Sequence, residues 1–472
     1  MLLIHYKGSV FMTAEVVDNR MSKSEMIKWA AAILIPAMIL LIPTSATLTT
    51  DIKIFLVITS FCLMLVAFEV IDILIPSLIL PMMYTLFNLA PANVVFESWS
   101  NPLPWMYVGI FIFAGCLERI GLIKRLAYAC VAKIGKNFAT LTISILVAGI
   151  ILSIVLTGGN AELPLLIFVF GICKGCGWNN TKESIILMFT VCVATYMAQE
   201  YLLNPYIFMM TGMVGYDQMM TFPGFFKQMG IFLPFGFLVL AVAYFMYKPE
   251  GKMPPREYFH NEYKALGKMS KDEIKGAILC IICVVMLMTL NIHKIPMGWI
   301  FVLLACVLYM PGIRLGTKED VAYVNFGLTF FIAACMTIGS VANTLGIGKL
   351  IADTAMPYLA NFGVTGVLTS MMIIGILSNF IMSPLAIFAA LTIPFVEITT
   401  SMGIDPIVTI QMIQMASHEV VFPYENTGYL IMFTFGMMGM KDFIKIFGLK
   451  AILSVIYFAC VAIPYWKIIG LL

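Results

Sequence analysis

Charge is what this sequence has least of. Only 11% of its 472 residues are Asp, Glu, Lys or Arg, while 61% are hydrophobic; a soluble domain carries about 25% charged residues. A mean hydropathy of +0.99 therefore excludes an ordinary water-soluble globular chain. Histidine is also scarce. The four residues, at positions 5, 260, 293 and 418, form no HExxH or paired-ligand spacing, and no Gly-x-Ser-x-Gly elbow occurs, so an enzyme is not expected. The net charge of +3, spread over loop segments, leaves nothing to recognise nucleic acid. A signal-peptide layout is missing too: Met1 to Met12 mixes His5, Lys7 and Gly8 into a short apolar stretch without a cleavage site, so the first apolar span is expected to be retained. Of the eleven cysteines, nearly all fall in apolar spans or short basic loops. Cys173 and Cys176 make one isolated CxxC, which reads as packing rather than zinc.

What is present is apolar length. Runs of about 20 apolar residues cross a hydrocarbon core, and such spans are expected near 26–45, 53–69, 72–90, 104–122, 184–215, 226–247, 277–292, 297–312, 325–345, 404–438 and 446–470. Two further stretches, 138–173 and 364–396, are interrupted at their middles by LTGGNAELP and SNFIMSPL. Each is too long for one span and polar at its centre, so both read as re-entrant helical hairpins, tolerated at that depth where protein or a water-filled cavity surrounds them. The expected fold is an all-α integral membrane protein of about eleven transmembrane helices plus two hairpins.

With eleven spans and a cytoplasmic N-terminus, all 28 Lys and Arg residues except Lys53, Lys227, Lys294, Lys349 and Lys467 fall on the cytoplasmic side, in the N-terminal arm and at 119–136, 174–182, 248–275, 314–318 and 441–450. That skew is what the positive-inside rule demands, and it puts the C-terminus outside. The odd span number also inverts the second half relative to the first. The chain then divides into a cytoplasmic arm (1–25), a first repeat (26–247) with hairpin 138–173 and broken helix 184–215, a charged linker (248–276), and a second repeat (277–472) with hairpin 364–396 and broken helix 404–438.

The halves also echo one another in words. GCLERIGLIKRLA from Gly115 returns as GSVANTLGIGKLIA from Gly339, MAQE from Met197 as MASHE from Met415, and NPYIFMMTGMVG from Asn204 as NTGYLIMFTFGMMG from Asn426. Repetition with interrupted apolar segments at corresponding places points to a secondary transporter and to its binding site. Burying a charge at a helix centre costs about 2.5–3.5 kcal/mol even on lenient scales, so the polar residues there are functional candidates. They are Glu162 at the first tip, Gln199, Glu200 and Asn204 after it, Asn379 and Ser383 at the second tip, and Ser417, His418, Glu419, Tyr424, Glu425 and Asn426 after that. Asn160 to Asn204 and Ser383 to Asn426 are nearly equal in separation, which brings a hairpin tip and a broken helix together in each half.

Half-helices stopping at mid-membrane direct N–H groups at an anion and carbonyls at a small cation. The expected binding set is Thr157, Gly158, Gly159, Asn160, Asn204, Pro205, Ser383, Pro384, Pro423, Tyr424, Asn426 and Thr427. Here Gly158 and Gly159 allow close approach, and Pro205, Pro384 and Pro423 break helices. The expected coupling set for an ion or proton is Glu162, Glu200, Asn379, Ser383, Ser417, His418, Glu419 and Glu425. The plainer alternatives are a kinked packed helix for any single Gly or Pro and a hydrogen-bonded helix-break residue for His418.

These segments resemble the divalent anion/sodium symporters of the ion transporter superfamily. FEVIDILIPSLILPMMYTL from Phe68 is similar to that family's Glu-containing entry to its third span, with Glu69 on the family's Glu; LSNFIMSPLAIFAALTIP resembles the stretch carrying its Ser-Asn-Thr signature; FPYENTGYLIMFTFGMMGMKDFIKIFGLK and AIPYWKIIGLL resemble the C-terminus of bacterial members. The resemblance implies inverted repeats, a homodimer in a bacterial cytoplasmic membrane, elevator-like movement of a transport domain, and a dicarboxylate, tricarboxylate or sulfate as cargo. It also implies sodium near Asn160 and Ser383. The chain departs from the family where Ser-Asn-Thr is expected, offering Gly158-Gly159-Asn160 and Met382-Ser383-Pro384.

No Lys or Arg lies between Lys136 and Lys174 or between Lys349 and Lys441, so the site is expected to be acidic and free of basic side chains. One reading is a carboxylate transporter whose Glu residues take up a coupling proton when desolvated, His418 sharing it, or which binds sodium. The other is a sodium/proton antiporter of the same superfamily with an acidic cation site.

Overall fold

A computed structural model describes residues 22–45, 47–68, 70–134, 137–155, 161–201, 205–216, 222–250, 263–347, 350, 362–380 and 383–472. The N-terminal arm up to residue 21, residues 251–262 of the linker, Glu69 and residues 156–160, 202–204 and 381–382 lie outside the described residues. Among the described residues all regular structure is helical. Helices of eight residues or more are numbered α1 (Lys23–Leu41), α2 (Thr50–Ala67), α3 (Leu74–Leu86), α4 (Pro102–Arg119), α5 (Leu122–Ile134), α6 (Phe138–Val155), α7 (Glu162–Gly175), α8 (Lys182–Tyr201), α9 (Pro205–Met213) and α10 (Phe222–Met229). The rest are α11 (Leu233–Tyr247), α12 (Lys271–Met288), α13 (Met297–Leu308), α14 (Phe326–Thr344), α15 (Val364–Ser378), α16 (Pro384–Ser401), α17 (Pro406–Ser417), α18 (Thr427–Thr434) and α19 (Met440–Tyr457).

Starts and stops follow local chemistry. Ser22 with Glu25 and Ser270 with Glu273 form capping boxes at α1 and α12, each satisfying two orphan donors. Asn101 accepts from Leu103 N at 3.0 Å, and Pro102 opens α4, where a missing N–H costs nothing. The echoed segments share a stop. Gly121 (φ +82°) follows α4 and Gly346 (φ +68°) follows α14, while Gly215 (φ +63°) follows α9 and Gly436 (φ +68°) follows α18, all in the left-handed region where a side chain is strained.

Among the described residues five helices are long and apolar enough to cross a membrane alone, and α4 with the start of α5 would make a sixth across a 68° bend. Of the other expected spans, 26–45 and 277–292 fall on the single helices α1 and α12, whereas 184–215 and 404–438 are each broken into two pieces, α8 with α9 and α17 with α18. Within the basic stretch 119–136, α5 is helical through Ile134 and its Arg125 is buried, its guanidinium donating to Glu273 at 2.6 Å. The linker boundary at 276 falls inside α12, whose cap at Ser270 lies six residues earlier in the sequence.

Close helix approaches are made at glycine. A Cβ at Gly109 of α4 would fall 2.6 Å from the Phe301 backbone of α13, and one at Gly149 of α6 would fall 2.5 Å from Ala194 Cβ of α8. Such contacts supply packing where lipid offers no hydrophobic driving force between helices. The helix α9 touches α14, α16 and α17, so the short piece after the first break lies between elements from the second half of the chain.

Candidate functional site

Four helices begin at the interruptions, and they meet in pairs across the two halves. The start of α7 meets the start of α18: the Glu162 carboxylate lies against Gly428, where a Cβ would sit 2.7 Å from Oε2. The start of α9 meets α16, the Tyr206 ring lying 5.5 Å from that of Phe388. Neither α7 nor α16 has a side-chain cap on its first turn, even though Ser383 occupies the cap position of α16 and Pro384 follows it. Helix starts leave N–H groups and a partial positive charge unsatisfied. At α18 Asn426 Oδ1 accepts from Gly428 N at 2.8 Å and Tyr429 N at 3.3 Å. The arrangement can hold an anion without a basic side chain.

The second break is a buried polar knot. The helix α17 ends at Ser417 because the chain turns out through Val420 and Phe422 into a short turn at Pro423–Glu425. Glu425 closes that turn by accepting from Val421 N at 3.0 Å and Phe422 N at 2.9 Å, which makes its carboxylate a backbone cap. Glu419 is fully buried; its carboxylate accepts from Lys450 Nζ at 2.8 Å and from the Tyr196 hydroxyl at 3.1 Å. Lys450 also donates to the His418 carbonyl at 3.2 Å and lies 4.0 Å above the Tyr196 ring. His418 stacks edge-on to Tyr196 and brings Nδ1 to 2.8 Å from the Gln414 carbonyl. Asn379 Nδ2 donates to the Ala416 carbonyl at 2.8 Å, while its Oδ1 is buried without a partner among the described residues. Ser417 donates to the Gln414 carbonyl at 2.8 Å.

Lys450 corrects the expectation of a site without basic side chains. It counts on the cytoplasmic side at 441–450 and falls at the start of the expected span 446–470; it stands in the third turn of α19 and is 3% exposed. A lysine set in the apolar run IFGLKAIL was the available signal, since such a residue is a functional candidate by default. The remaining expected residues divide. Thr157, Gly158, Gly159, Asn160 and Asn204 lie outside the described residues, as do the side chains of Gln199, Glu200, Pro205 and Thr427. Pro423 is buried, whereas Tyr424 is 59% exposed and stacks on Phe422 instead of entering the knot. Glu162 keeps one buried carboxylate oxygen, Oε1, without a hydrogen-bond partner among the described residues.

A cavity of about 660 Å³ opens at the far end of α9, lined among others by Glu97, Asn101, Thr211, Ser340, Asn343 and Glu397. None of the residues expected from the sequence lines it. It lies where α9 runs against α14: a Cβ at Gly212 would fall 2.7 Å from Met336, and Gly339 packs directly on the Met213 carbonyl.

The comparisons with known proteins agree with a transporter. Residues 63–417 match the family described as citrate transporter. Among solved structures, the chain is similar to the YdaH transporter of Alcanivorax borkumensis, at 12% identity and a TM-score of 0.60, covering 95% of this chain and 99% of that one. It is also similar to MtrF of Neisseria gonorrhoeae, described as illuminating a class of antimetabolite efflux pumps, at 12% identity and a TM-score of 0.56, covering 94% and 95%. At that identity the likeness shows the fold. No curated protein matches the sequence. Matched over well more than half of its length, the chain belongs to the citrate transporter family and is an integral membrane secondary transporter.

Proposed function

We propose that the protein moves a di- or tricarboxylate, as a member of the divalent anion/sodium symporter group, with the anion held between the four helix starts. The observation that carries this reading is the cross-half pairing of α7 with α18 and of α9 with α16, two of these starts lacking side-chain caps. Backbone N–H groups and partial helix charges suit carboxylate oxygens. Glu162 sits beside the same place, so anion and ionised carboxylate repel, and a proton or sodium ion must neutralise one of them. That requirement ties cargo to a coupling ion; obligatory exchange of anions is the alternative driving mode. Residues near Asn160 and Ser383 would hold sodium if sodium is the ion used. Glu419 is less suited to a cation site, because Lys450 already neutralises it.

Within this reading the two repeats, 26–247 and 277–472, are inverted, the N-terminus is cytoplasmic and the C-terminus outside, and the protein works as a homodimer with elevator-like movement in a bacterial cytoplasmic membrane. The test is uptake of labelled citrate, succinate and 2-oxoglutarate into proteoliposomes, with sodium, proton and internal-substrate gradients imposed separately. Uptake of any one supports the reading and its driving gradient names the coupling. No uptake by folded protein under any gradient, together with sodium-dependent change in internal pH, would replace it with a cation antiporter.

A further inference from the structure

The buried face of α17 carries more polarity than the site uses. Gln411 and Gln414 are fully buried, and Gln411 Oε1, Gln414 Oε1 and Gln414 Nε2 have no hydrogen-bond partner among the described residues. At helical spacing, positions 411, 414 and 418 share one side of the helix. That side meets α10, where Gln411 Nε2 donates to Gln228 Oε1 at 3.3 Å, and α8, where Tyr196 receives His418. The line of polar groups therefore begins at Gln228, which is partly exposed, and ends at Glu419 and Lys450. From Gln411 to His418 the helix rises about 10 Å, a distance that about three waters at hydrogen-bond spacing would bridge.

Leaving a buried amide group dry carries its full desolvation cost, and an apolar residue of the same size would avoid that cost. Buried water is the usual partner of such groups. An amide also both donates and accepts, so it can orient a water chain in either direction. We propose that the Gln411–Gln414 face of α17 holds a short chain of water that carries the coupling proton between the Gln228 end and Glu419. The proposal rests on the transport reading above. A proton entering at Gln228 is passed along the waters to the Glu419 carboxylate, which becomes a neutral acid; Lys450 stays an ammonium ion and loses its ionic partner. It keeps the His418 carbonyl and the face of the Tyr196 ring, so protonation loosens, without severing, the tie between the end of α17 and α19. The groups facing Glu419 in this step are Lys450 from α19, Tyr196 from α8, Tyr429 from α18 and His418 of its own segment, while Asn379, just past α15, donates to the Glu419 backbone carbonyl. On the far side the proton leaves Glu419 and the ion pair re-forms.

Two measurements test it. In the intact protein, radiolytic hydroxyl labelling should reach Tyr196 and Met415, although both are buried to 2% exposure or less; unlabelled residues would show a dry face and overturn the proposal whatever the transport result. In proteoliposomes, Gln414→Leu should lower pH-gradient-driven uptake tenfold or more while leaving anion exchange at equal pH within twofold, and Gln414→Ser, which keeps a polar partner for water, should restore driven uptake. A Gln414→Leu protein that melts at a higher temperature with driven uptake unchanged would mark a dry packing defect and sink the idea. So would a Leu and a Ser variant that lose driven uptake equally, or a wild type driven by sodium with no response to pH. Absence of both uptake and exchange in wild type would instead count against the transport reading, with the labelling result standing independently.

Discussion

Two glutamates at helix interruptions, one at a broken helix and one at a hairpin tip, meet opposite fates. Glu419, after α17, is fully buried and held by Lys450 and Tyr196, whereas Glu162, at the start of α7, lies against Gly428 with one buried oxygen unpartnered among the described residues. Side-chain type is the same in both places, so the neighbours decide the role. A paired carboxylate resists change, because removing its partner strands a charge in a medium that solvates it poorly. An unpartnered one is cheap to neutralise, and a proton or a small cation does so. The site around Glu419 is thus a fastening that only a delivered proton would release, as proposed above, whereas the site around Glu162 is where cargo meets a carboxylate that must be neutralised.

The sharpest way to break that comparison is Lys450→Met. It should cost about 3–5 kcal/mol by leaving Glu419 buried and unpaired, read as a large fall in thermal stability in detergent. The double variant Lys450→Met with Glu419→Gln should recover most of the loss, since neutral partners of similar volume remove the stranded charge. If the double variant is as unstable as the single, the pair is not what fastens α17 to α19. For Glu162→Gln the expectation is the reverse: a melting temperature within a few degrees of wild type, and uptake that no longer responds to the coupling gradient while anion exchange persists. A strongly destabilised Glu162→Gln would place Glu162 in the fastening class and end the distinction. Next in size comes Gly428→Ala. Its Cβ would meet the Glu162 carboxylate at 2.7 Å, and overpacking of this kind costs about 1–3 kcal/mol, with apparent affinity for the anion expected to fall severalfold. Unchanged affinity would mean that the start of α18 does not touch cargo.

The smallest effect concerns a pair outside the spans. Arg125 and the cap at Ser270 hold the Glu273 carboxyl below its ordinary value of 4.5. A lowered carboxyl contributes stability in full above its unfolded value, and that contribution is lost as pH falls through the folded value. Thermal stability of wild type should therefore be insensitive to this pair between pH 6 and 8 and drop below about pH 4, with Glu273→Gln showing a shallower acid loss. Parallel acid profiles for the two proteins would mean that the pair contributes nothing there.

Much of the architecture was legible because lipid punishes exposed backbone and charge harder than water does. Apolar length marked where chain crosses, and Gly, Pro, Asn and Ser within apolar runs marked where helices stop; α9, α16 and α18 begin at Pro205, Pro384 and Thr427, inside the segments singled out for that reason. Helix lengths were less legible. The charges of 119–136 mark only a basic cytoplasmic segment, and nothing local announces that Glu273, far along the chain, receives Arg125. Gln411 and Gln414 carried a weak signal, two amides in an apolar helix, which only their complete burial turned into evidence.

The sequence by itself determined that this is a membrane transporter of all-helical build with paired interruptions, because composition and periodicity respond to the solvent around each segment. Which charges face one another was decided only by the tertiary structure. Lys450 reaches Glu419 from a separate helix, and Glu162 meets Gly428 across the two halves. Electrostatic energy depends on distance in space and on desolvation, and neither is a property of a residue's neighbours in sequence.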